Sequence, residues 1–526
     1  MSALNFALQA SPQASHFGPR IGKLRFKRFS EPQPPDIPTP ALITTTSRGI
    51  VPHLSQDHVK LTGAIQWAQV HFETFLEQVP PVPTQQKSAH PLHKFLGYQP
   101  DKHIISLSLR DPSDGQEMPP NTKDFVTCKC VRGVRKMTPS AWSAYILACK
   151  PDVVTALADI PPTSTLYSQK RIIKSLQRST EWLADLLRSI QASRSQVRPS
   201  TLVSMVGGNN ARARRIFAEG LVETLSGKDL EYVKPLMCLD EGVDGYICDL
   251  VPLRMQLDTS IVEEPSDSEY SKDVPDLLKA SLSPLPATKL RIAHSSRSPH
   301  EILLLIQAIG IDLFDARFAQ DAANLGVALD FTFPTVRTSA EHAHNIRTDG
   351  KINLGHNLFS AMYAHDHSRL AGSFIGVASS DEAGKNSSPP VCPCAACSPR
   401  TLLSWTQNST VDARPPIAHD YQPSFTRAYI HHLLHTHEMS SHTLLAMHNL
   451  SVMDAFFTGV RDVLSTPNGF ASFDGEVARF CALYDESMAI LDEAKAEWAA
   501  VERARGKGRL KRENPTDGGT SQNADV

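Results

Sequence analysis

The sequence predicts an α/β protein built on a (β/α)8 TIM barrel, with a zinc-binding subdomain inserted in or appended to it. Seven short β-rich runs, most of them followed by helical stretches, are apolar on both faces, which is typical of buried parallel strands. An eighth run near Thr62–Ala68 would complete a barrel, and a doubly wound sheet is the alternative. Three cysteines close together late in the chain indicate a metal site outside these repeats.

The predicted strands and helices alternate as a barrel requires. The seven runs are Ala41–Thr46, His103–Leu109, Val153–Ile160, Thr201–Val206, Gly245–Val251, Lys289–His294 and Ile311–Ala316. Two of the intervening helices are predicted at Lys170–Ile190 and Pro299–Ile309. We therefore expect residues 1–375 to form an irregular barrel, 376–490 the zinc-binding subdomain, and 491–526 a charged C-terminal tail.

Several stretches have the composition of loops. Asp258–Pro286 is acidic and rich in serine and proline, so we expect a flexible, solvated insertion near 258–286. Ala378–Pro390 leads into the cysteines, and Pro399–Pro423 follows them as a further loop. The tail from Ala494 is predicted to be a charged helix running into a basic end, which is either solvated or in contact with a nucleic acid or another partner.

Composition narrows the class of protein. Hydrophobic residues make up 41% of the chain and charged residues 21%, which is normal for a globular protein with a core. The net charge of −2 means that any nucleic-acid surface must be a local patch. The longest apolar runs are too short to span a bilayer. The nine cysteines fit reduced thiols with a metal site better than a disulfide framework, so we expect a cytoplasmic protein.

The most specific local feature is Cys392-Pro-Cys394-Ala-Ala-Cys397. Three thiolates in one tight loop suit tetrahedral Zn2+, which needs a fourth ligand from elsewhere in the chain. A neutral imidazole would close the shell and leave no open position for catalysis, so the site would be structural. Cys128-Lys-Cys130 has no matching ligands near it, and we interpret it as part of a strand with alternating faces.

The fourth ligand has several candidates in the sequence. Two helices are predicted after the cysteines, at Phe425–Glu438 and Ser441–Met453. The histidines on or beside them are His431, His432, His435, His437, His442 and His448. Most must have ordinary roles, because a helical histidine is usually solvated or caps a helix.

A longer pattern follows the cysteine loop. It consists of Arg427-Ala-Tyr-Ile-His431-His432-Leu433, Glu438-Met439 and His448-Asn449-Leu450. This order resembles the zinc subdomain of the tRNA-guanine transglycosylases, which in eukaryotes are queuine tRNA-ribosyltransferases. The resemblance implies that His448 is the fourth zinc ligand. The gap between cysteines and histidine is longer here, by an apparent insertion covering Pro399–Pro423, which costs little as a surface loop.

Motifs elsewhere in the chain extend the resemblance. Gly22-Lys23-Leu24 followed by Thr39-Pro40-Ala41 is similar to the family's opening hairpin and first barrel strand, so we do not expect a cleaved presequence. Gly310-Ile-Asp312-Leu-Phe314-Asp315 is similar to the motif of a late barrel strand. These ordered motifs imply the barrel rather than the doubly wound sheet, and they imply dimer-contact helices within 376–490.

The family's chemistry places strict demands on its site residues. An aspartate attacks ribose C1′ and a second aspartate moves the proton. Asp315 matches the nucleophile, but the family's Thr-Asp-Ser-Gly-Gly-Phe-Gln string is absent, and the corresponding region offers only Asp111 and Asp114. Val206 stands where a glutamine reads the purine, and a pocket that loses such a hydrogen-bonding group rejects its ligand.

Two further departures from the family's motifs also indicate that the catalytic site is incomplete. Asp244–Leu250 carries bulk and charge where the family has paired glycines, and Arg317–Asn324 replaces the basic motif that follows the nucleophile. Only Asp159 matches the remaining base-contacting acid. The resemblance therefore implies a non-catalytic accessory subunit with a vestigial Asp315. Its expected partners are tRNA and a catalytic queuine tRNA-ribosyltransferase subunit, in a heterodimer that exchanges guanine for queuine at the wobble position.

Two questions remain open at the level of sequence. The alternative function is a catalytically active tRNA-guanine transglycosylase that uses Asp315 as nucleophile. The four basic residues Lys129, Arg132, Arg135 and Lys136 cluster in a strand-loop region, where they would contact the tRNA backbone or form a solvated hairpin.

Overall fold

The structure is a computed structural model that describes residues 4–11, 16–28, 33–160, 163, 167–193, 198–262, 273–335, 345–372, 392, 394–398 and 424–513. The predicted loops at 378–390 and 399–423 lie outside these residues, as does the end of the chain from 514. For residues 259–262, 502 and 504–513 only the backbone is described.

The described residues form strands, α-helices and short 3-10 turns in the following order. The strands are β1 Leu4–Ala10, β2 Ile21–Phe26, β3 Ile37–Thr39, β4 Ala41–Thr45, β5 Trp67–His71, β6 Ile104–Ser108, β7 Val126–Cys130, β8 Gly133–Met137, β9 Val153–Thr155, β10 Ser200–Ser204, β11 Gly245–Asp249, β12 Leu290–His294, β13 Leu313–Asp315, β14 Val327–Leu329 and β15 Gly355–Asn357. The helices are α1 Gln56–Leu61, α2 Pro91–Leu96, α3 Pro139–Cys149, α4 Gln169–Ala192, α5 Ala211–Val222, α6 Gly227–Val233, α7 Leu250–Val262, α8 Val274–Leu282, α9 Pro299–Ile309, α10 Arg317–Asn324, α11 Arg427–His435, α12 Met439–Ser465, α13 Gly469–Leu483 and α14 Ala489–Glu513.

Eight of the strands close a parallel barrel in the order β4-β5-β6-β9-β10-β11-β12-β13, and β13 pairs with β4. The predicted (β/α)8 barrel is confirmed, and every predicted barrel strand is present. The eighth strand lies at Trp67–His71, so it overlaps only the last two residues of the predicted stretch Thr62–Ala68 and continues beyond it. The residues before it form a turn after α1, in which Ile65 N donates to Thr62 O at 3.0 Å.

A small antiparallel sheet, β1-β2-β3, packs against the end of the barrel where the strands begin. Leu24, Phe26 and Ile37 join one apolar cluster with the first residues of the barrel strands, such as Trp67 and Ile104. This sheet includes the predicted opening hairpin, since β2 and β3 pair antiparallel. In barrels of this kind functional groups gather at the opposite end, where the strands finish.

The prediction of a flexible, solvated insertion near 258–286 is wrong for part of that stretch. Val274–Leu282 forms helix α8, which buries Leu277, Leu278 and Leu282. The hydroxyl of Ser281 on this helix accepts a hydrogen bond from Arg214 Nη1 at 2.9 Å. The serine- and proline-rich composition of 258–286 hides these leucines when it is averaged over the whole stretch. Residues 263–272 of the stretch lie outside the described residues.

The chain divides into two compact units that are discontinuous in sequence. The first comprises Met1–Gln320, Thr332–Val336 and Leu450–Ala482 and contains the barrel. The second comprises Asp321–Phe331, Arg337–Asn449 and Leu483–Val526 and contains the cysteine loop, the antiparallel pair β14–β15 and helices α11 and α14. Because the units interleave along the chain, they differ from the consecutive segments 1–375, 376–490 and 491–526. Within the described ranges, no helix combines the length and the apolar composition needed to cross a membrane.

Candidate metal centre and barrel mouth

The cysteine loop is a tight, buried turn in the second unit. Cys392, Cys394 and Cys397 are all buried. Cys397 N donates to Cys394 Sγ at 3.3 Å, and Ser398 N donates to Cys394 O at 2.8 Å. The hydroxyl of Ser398 donates to Cys392 O at 2.8 Å. These bonds fold the loop so that three sulfur atoms face the same point.

His448 on helix α12 completes a group of four. Its Nδ1 lies 3.7, 3.6 and 3.4 Å from the sulfur atoms of Cys392, Cys394 and Cys397. Its Nε2 lies 2.9 Å from Leu329 O. A carbonyl oxygen can only accept, so Nε2 carries the hydrogen and Nδ1 presents its lone pair to the sulfurs. The four ligand atoms lie within 4.8 Å of one another, a group that could hold a metal ion.

The structure places other candidate histidines away from the sulfurs. Rings on α11 and α12 are directed at backbone carbonyls, to which one nitrogen donates. His431 Nδ1 lies 2.9 Å from Leu358 O, and His435 Nε2 lies 3.0 Å from Phe359 O. His442 Nδ1 lies 3.0 Å from Ala323 O. Among the described residues, His448 is therefore the histidine that the fold brings to the cysteine loop.

Cys128 and Cys130 lie on strand β7 with Lys129 exposed between them, as interpreted from the sequence. Both thiols are buried, and burial raises the pKa of Cys128 to about 12. A thiol with so high a pKa stays protonated at neutral pH, and the thiolate is the metal-binding form. This pair is therefore part of the core.

Asp315, which the sequence analysis predicts to be a vestigial nucleophile, is the last residue of strand β13 and is 2% exposed. Its Oδ2 accepts a hydrogen bond from Ser295 N at 2.6 Å, and its Oδ1 has no partner among the described residues. Burial raises the pKa of Asp315 to about 6, against the lowering effect of His294. A carboxylate enclosed in this way presents no open face to a ribose.

His294 is the neighbour that the sequence analysis missed. It ends strand β12, and its Nδ1 donates to Asp249 Oδ1 at the end of β11, at 2.9 Å. Burial lowers the pKa of His294, but the hydrogen bond to Asp249 and the charges of Asp249, Asp315 and Asp111 outweigh it and raise the pKa. A histidine hydrogen-bonded to Asp249, with its pKa raised by the surrounding carboxylates, therefore occupies the barrel mouth beside Asp315.

The region that is predicted to correspond to the family's purine pocket is filled by this chain's own side chains. Val206, Gly207 and Gly208 follow strand β10, and the space they line with Tyr167 and Gln256 measures about 10 Å³. That is the room for about one water molecule. The glycines serve packing, since Gly207 has φ +127° and a Cβ on it would lie 2.7 Å from the backbone nitrogen of Arg214.

Asp159, the one matching base-contacting acid, is already paired within the protein. Its Oδ1 accepts from Arg171 Nη2 at 2.6 Å and from Asn121 Nδ2 at 2.7 Å. Its Oδ2 accepts from Arg171 Nη1 at 2.6 Å and from Arg178 Nη1 at 3.0 Å. Burial raises the pKa of Asp159, but these partners outweigh it and keep the pKa below its usual value. The carboxylate thus fixes helix α4 to the barrel.

A second cavity lies at the mouth between the ends of several strands. Its lining includes Gln69, Asp111, Asp249 and His294. Asp111 Oδ1 accepts hydrogen bonds from the backbone nitrogen and the hydroxyl of Ser113, so it is held within its own loop. The loop lacks the paired glycines of the family motif, as the sequence shows.

The four predicted RNA-contacting residues lie on the hairpin β7–β8. Thr127 pairs with Lys136 and Cys128 with Arg135. Lys129 and Lys136 are exposed and share one face of the hairpin, and Arg132 is exposed in the turn. Arg135 is half-buried on the other face, where its Nε donates to Leu76 O at 3.4 Å. The structure therefore brings three of the four cations to one exposed region.

The fold and these groups define a class: a closed (β/α)8 barrel joined to a second unit with a three-cysteine, one-histidine group. The chain belongs to the queuine tRNA-ribosyltransferase family, whose model matches residues 16–482.

Curated relatives share most of the chain with it. Proteins named queuine tRNA-ribosyltransferase accessory subunit 2 match it from Drosophila virilis, at 26% identity over 84% of this chain and 85% of the relative, and from Drosophila melanogaster, at 25% over 87% and 88%. The protein of that name from Aedes aegypti is 24% identical over 88% of this chain and 89% of the relative.

Proposed function

We propose that this chain is a non-catalytic accessory subunit, which pairs with a catalytic queuine tRNA-ribosyltransferase subunit in the exchange of guanine for queuine in tRNA. The observation that carries the proposal is the filled purine pocket, where Val206, Gly207 and Gly208 enclose about 10 Å³. The barrel around this pocket is complete, so the chain has the fold of the family but no room for a base in this pocket. The names of the relatives support the same function.

The alternative, an active transglycosylase, requires Asp315 to reach a ribose while the departing base is recognised. Covalent catalysis by a carboxylate depends on in-line positioning of the reacting atoms. In this chain Asp315 is buried beside His294, and Asp159 is paired with two arginines. The contacts of both acids therefore favour the accessory subunit.

The metal of the second unit is proposed to be one structural Zn2+ held by Cys392, Cys394, Cys397 and His448. With Zn–S near 2.3 Å and Zn–N near 2.0 Å, a tetrahedron places nitrogen and sulfur about 3.5 Å apart. The Nδ1–Sγ distances of 3.4–3.7 Å match this value. Bound zinc would link the cysteine loop to helix α12. Four protein ligands leave no position for a substrate.

Assembly tests the proposal most directly. The chain mixed with a catalytic subunit is expected to form a one-to-one heterodimer, measured by light scattering after gel filtration. Helices within 376–490 are proposed to supply part of the contact, and Tyr429 on α11 is 44% exposed there. Buried aromatic anchors commonly contribute about 2 kcal/mol or more at interfaces. Tyr429→Glu is therefore expected to weaken the complex about thirtyfold or more.

Tyr232→Glu is the matched control, because Tyr232 is 41% exposed on the barrel unit. It should leave the affinity within about twofold of wild type. A mixture that elutes as two separate species would contradict the accessory function. Equal weakening by both substitutions would instead contradict the proposed location of the contact.

The exposed cations of the β7–β8 hairpin are proposed to contact tRNA phosphates. Replacing Arg132 and Lys136 by glutamate is expected to lower the tRNA affinity of the heterodimer about tenfold or more, and to reduce the salt dependence by about two counterions. Filter binding across a salt series measures both quantities. The same charge change at Lys228 and Lys234, which are exposed elsewhere on the barrel unit, is the control. Unchanged affinity in the hairpin variant would place the RNA contact elsewhere.

A further inference from the structure

Helix α12 presents two consecutive side chains to one edge of strand β14. Asn449 Oδ1 accepts a hydrogen bond from Leu329 N, and Asn449 Nδ2 donates to Val327 O, each at 2.9 Å. His448 Nε2 donates to Leu329 O, also at 2.9 Å. His448 and Asn449 are both fully buried.

These hydrogen bonds satisfy backbone groups of β14 that a third strand would otherwise pair with. On its other edge β14 pairs with β15, where Ala328 lies opposite His356. Gly326 O and Asp330 N bond to that side, so the backbone groups of Val327 and Leu329 point away from β15. A buried backbone group without a partner costs about 1–3 kcal/mol. Two helical side chains satisfy three such groups here.

These hydrogen bonds also determine the orientation of the His448 ring relative to the cysteines. Asn449 can be oriented in one way only, because its oxygen must face Leu329 N and its nitrogen must face Val327 O. Both Leu329 backbone groups are thus held by adjacent residues of one helix, and the Leu329 carbonyl in turn orients the His448 ring. Metal-ligating histidines typically depend on such a partner for the second ring nitrogen.

We propose that Asn449 is a positioning residue for the metal centre: by holding Leu329, it fixes His448 with Nε2 protonated and Nδ1 aimed at Cys392, Cys394 and Cys397. The inference rests on the proposed zinc site. It assigns to Asn449 a part in metal binding, although Asn449 is not itself a ligand.

Zinc affinity of the full chain, measured by competition with a chelator, tests the role of Asn449. Asn449→Ala is expected to lower the affinity about 10–100-fold, as is typical when the partner of a metal-bound histidine is lost. Co2+ bound in place of zinc should show altered d–d absorption bands, because His448 is no longer held in one orientation. Asn449→Ser keeps one hydroxyl for the strand edge and should fall between Asn449→Ala and wild type.

Asn345→Ala is the matched control. Asn345 is also buried in the second unit, and its Nδ2 donates to a backbone carbonyl, that of Asn353, at 3.2 Å. Its replacement should lower the Tm but leave zinc affinity and the Co2+ spectrum unchanged. If Asn449→Ala behaves like this control, the positioning role is overturned. Should Asn449→Ala fail to fold, wild-type affinity and spectrum in Asn449→Ser would overturn it equally. A wild-type chain that binds neither metal would contradict the zinc proposal itself.

Discussion

A heterodimer that carries Asp315→Asn in this chain is expected to exchange guanine within about twofold of the wild-type rate. The matching replacement of the catalytic subunit's own nucleophilic aspartate should lower exchange by on the order of 10⁴-fold or more, as removal of an enzyme's nucleophile typically does. Incorporation of labelled guanine into tRNA measures both. The two substitutions are chemically identical, so their difference isolates which barrel performs the reaction.

The small expected effect of Asp315→Asn on the exchange rate follows from the contacts around the carboxylate. Asp315 is buried, one oxygen accepts from Ser295 N, and His294 lies beside it. The neighbouring pocket that is predicted to correspond to the base site measures about 10 Å³, which is too small to hold a purine in line with its ribose. A loss above about tenfold, in a complex of the correct mass, would show that this chain does chemistry.

The same substitution should change stability in a direction set by the raised pKa. Burial raises the pKa of Asp315 to about 6, whereas an unfolded aspartate titrates near 3.9. At pH values between these two pKa values, Asp315 binds more protons in the folded chain than in the unfolded chain. The contribution of Asp315 to the free energy of unfolding therefore falls as pH rises from about 4 to 6. The amide of the Asp315→Asn variant does not titrate, so the variant has no such loss. The difference in free energy of unfolding between the variant and wild type should therefore shift in favour of the variant by up to about 2–3 kcal/mol between pH 4 and pH 7. Denaturant unfolding of both proteins at the two pH values measures this shift.

The barrel was predictable because burial on both faces leaves a local signature. A run such as His103–Leu109 has apolar residues at both even and odd positions, for example Ile104 and Ile105, which is typical of a strand covered on both sides. The ends of strands were less predictable. Val153–Ile160 is apolar at most positions, yet β9 ends at Thr155 and several of the residues after it line the mouth. Apolar character reports burial, and buried residues continue beyond the last strand hydrogen bond.

The two parts of the site differ in how far sequence could find them. The cysteine loop is local, so its spacing alone indicates a metal. The group of Asp249, His294 and Asp315 comes from three neighbouring strands, and the pairing of β11 with β12 and of β12 with β13 brings these residues together. A signal was present, because all three lie at or near the ends of predicted strands, where barrel function gathers. Their mutual contacts nevertheless depend on register, which the sequence pattern does not specify.

Replacement of His448 by alanine is expected to lower zinc content from one ion per chain to near zero. The Nδ1 lone pair is one of four ligands, and three thiolates alone leave the shell open to water and chelators. Binding of structural zinc contributes directly to folding free energy, commonly by several kcal/mol or more. The Tm should accordingly fall by on the order of 10 °C. Atomic absorption and thermal unfolding measure the two effects, and Cys394→Ala should reproduce both.

His442→Ala is the control on the same helix, because the His442 ring donates to Ala323 O and does not face the sulfurs. It should retain a full complement of zinc, with at most the loss of one hydrogen bond, about 1 kcal/mol. Full zinc in His448→Ala together with loss in His442→Ala would contradict the ligand assignment. The expected pattern would show that zinc joins the cysteine loop to the helix residue whose other ring nitrogen bonds to strand β14. The cysteine loop, the first part of α12, which carries His448, and strand β14 would then depend on one ion.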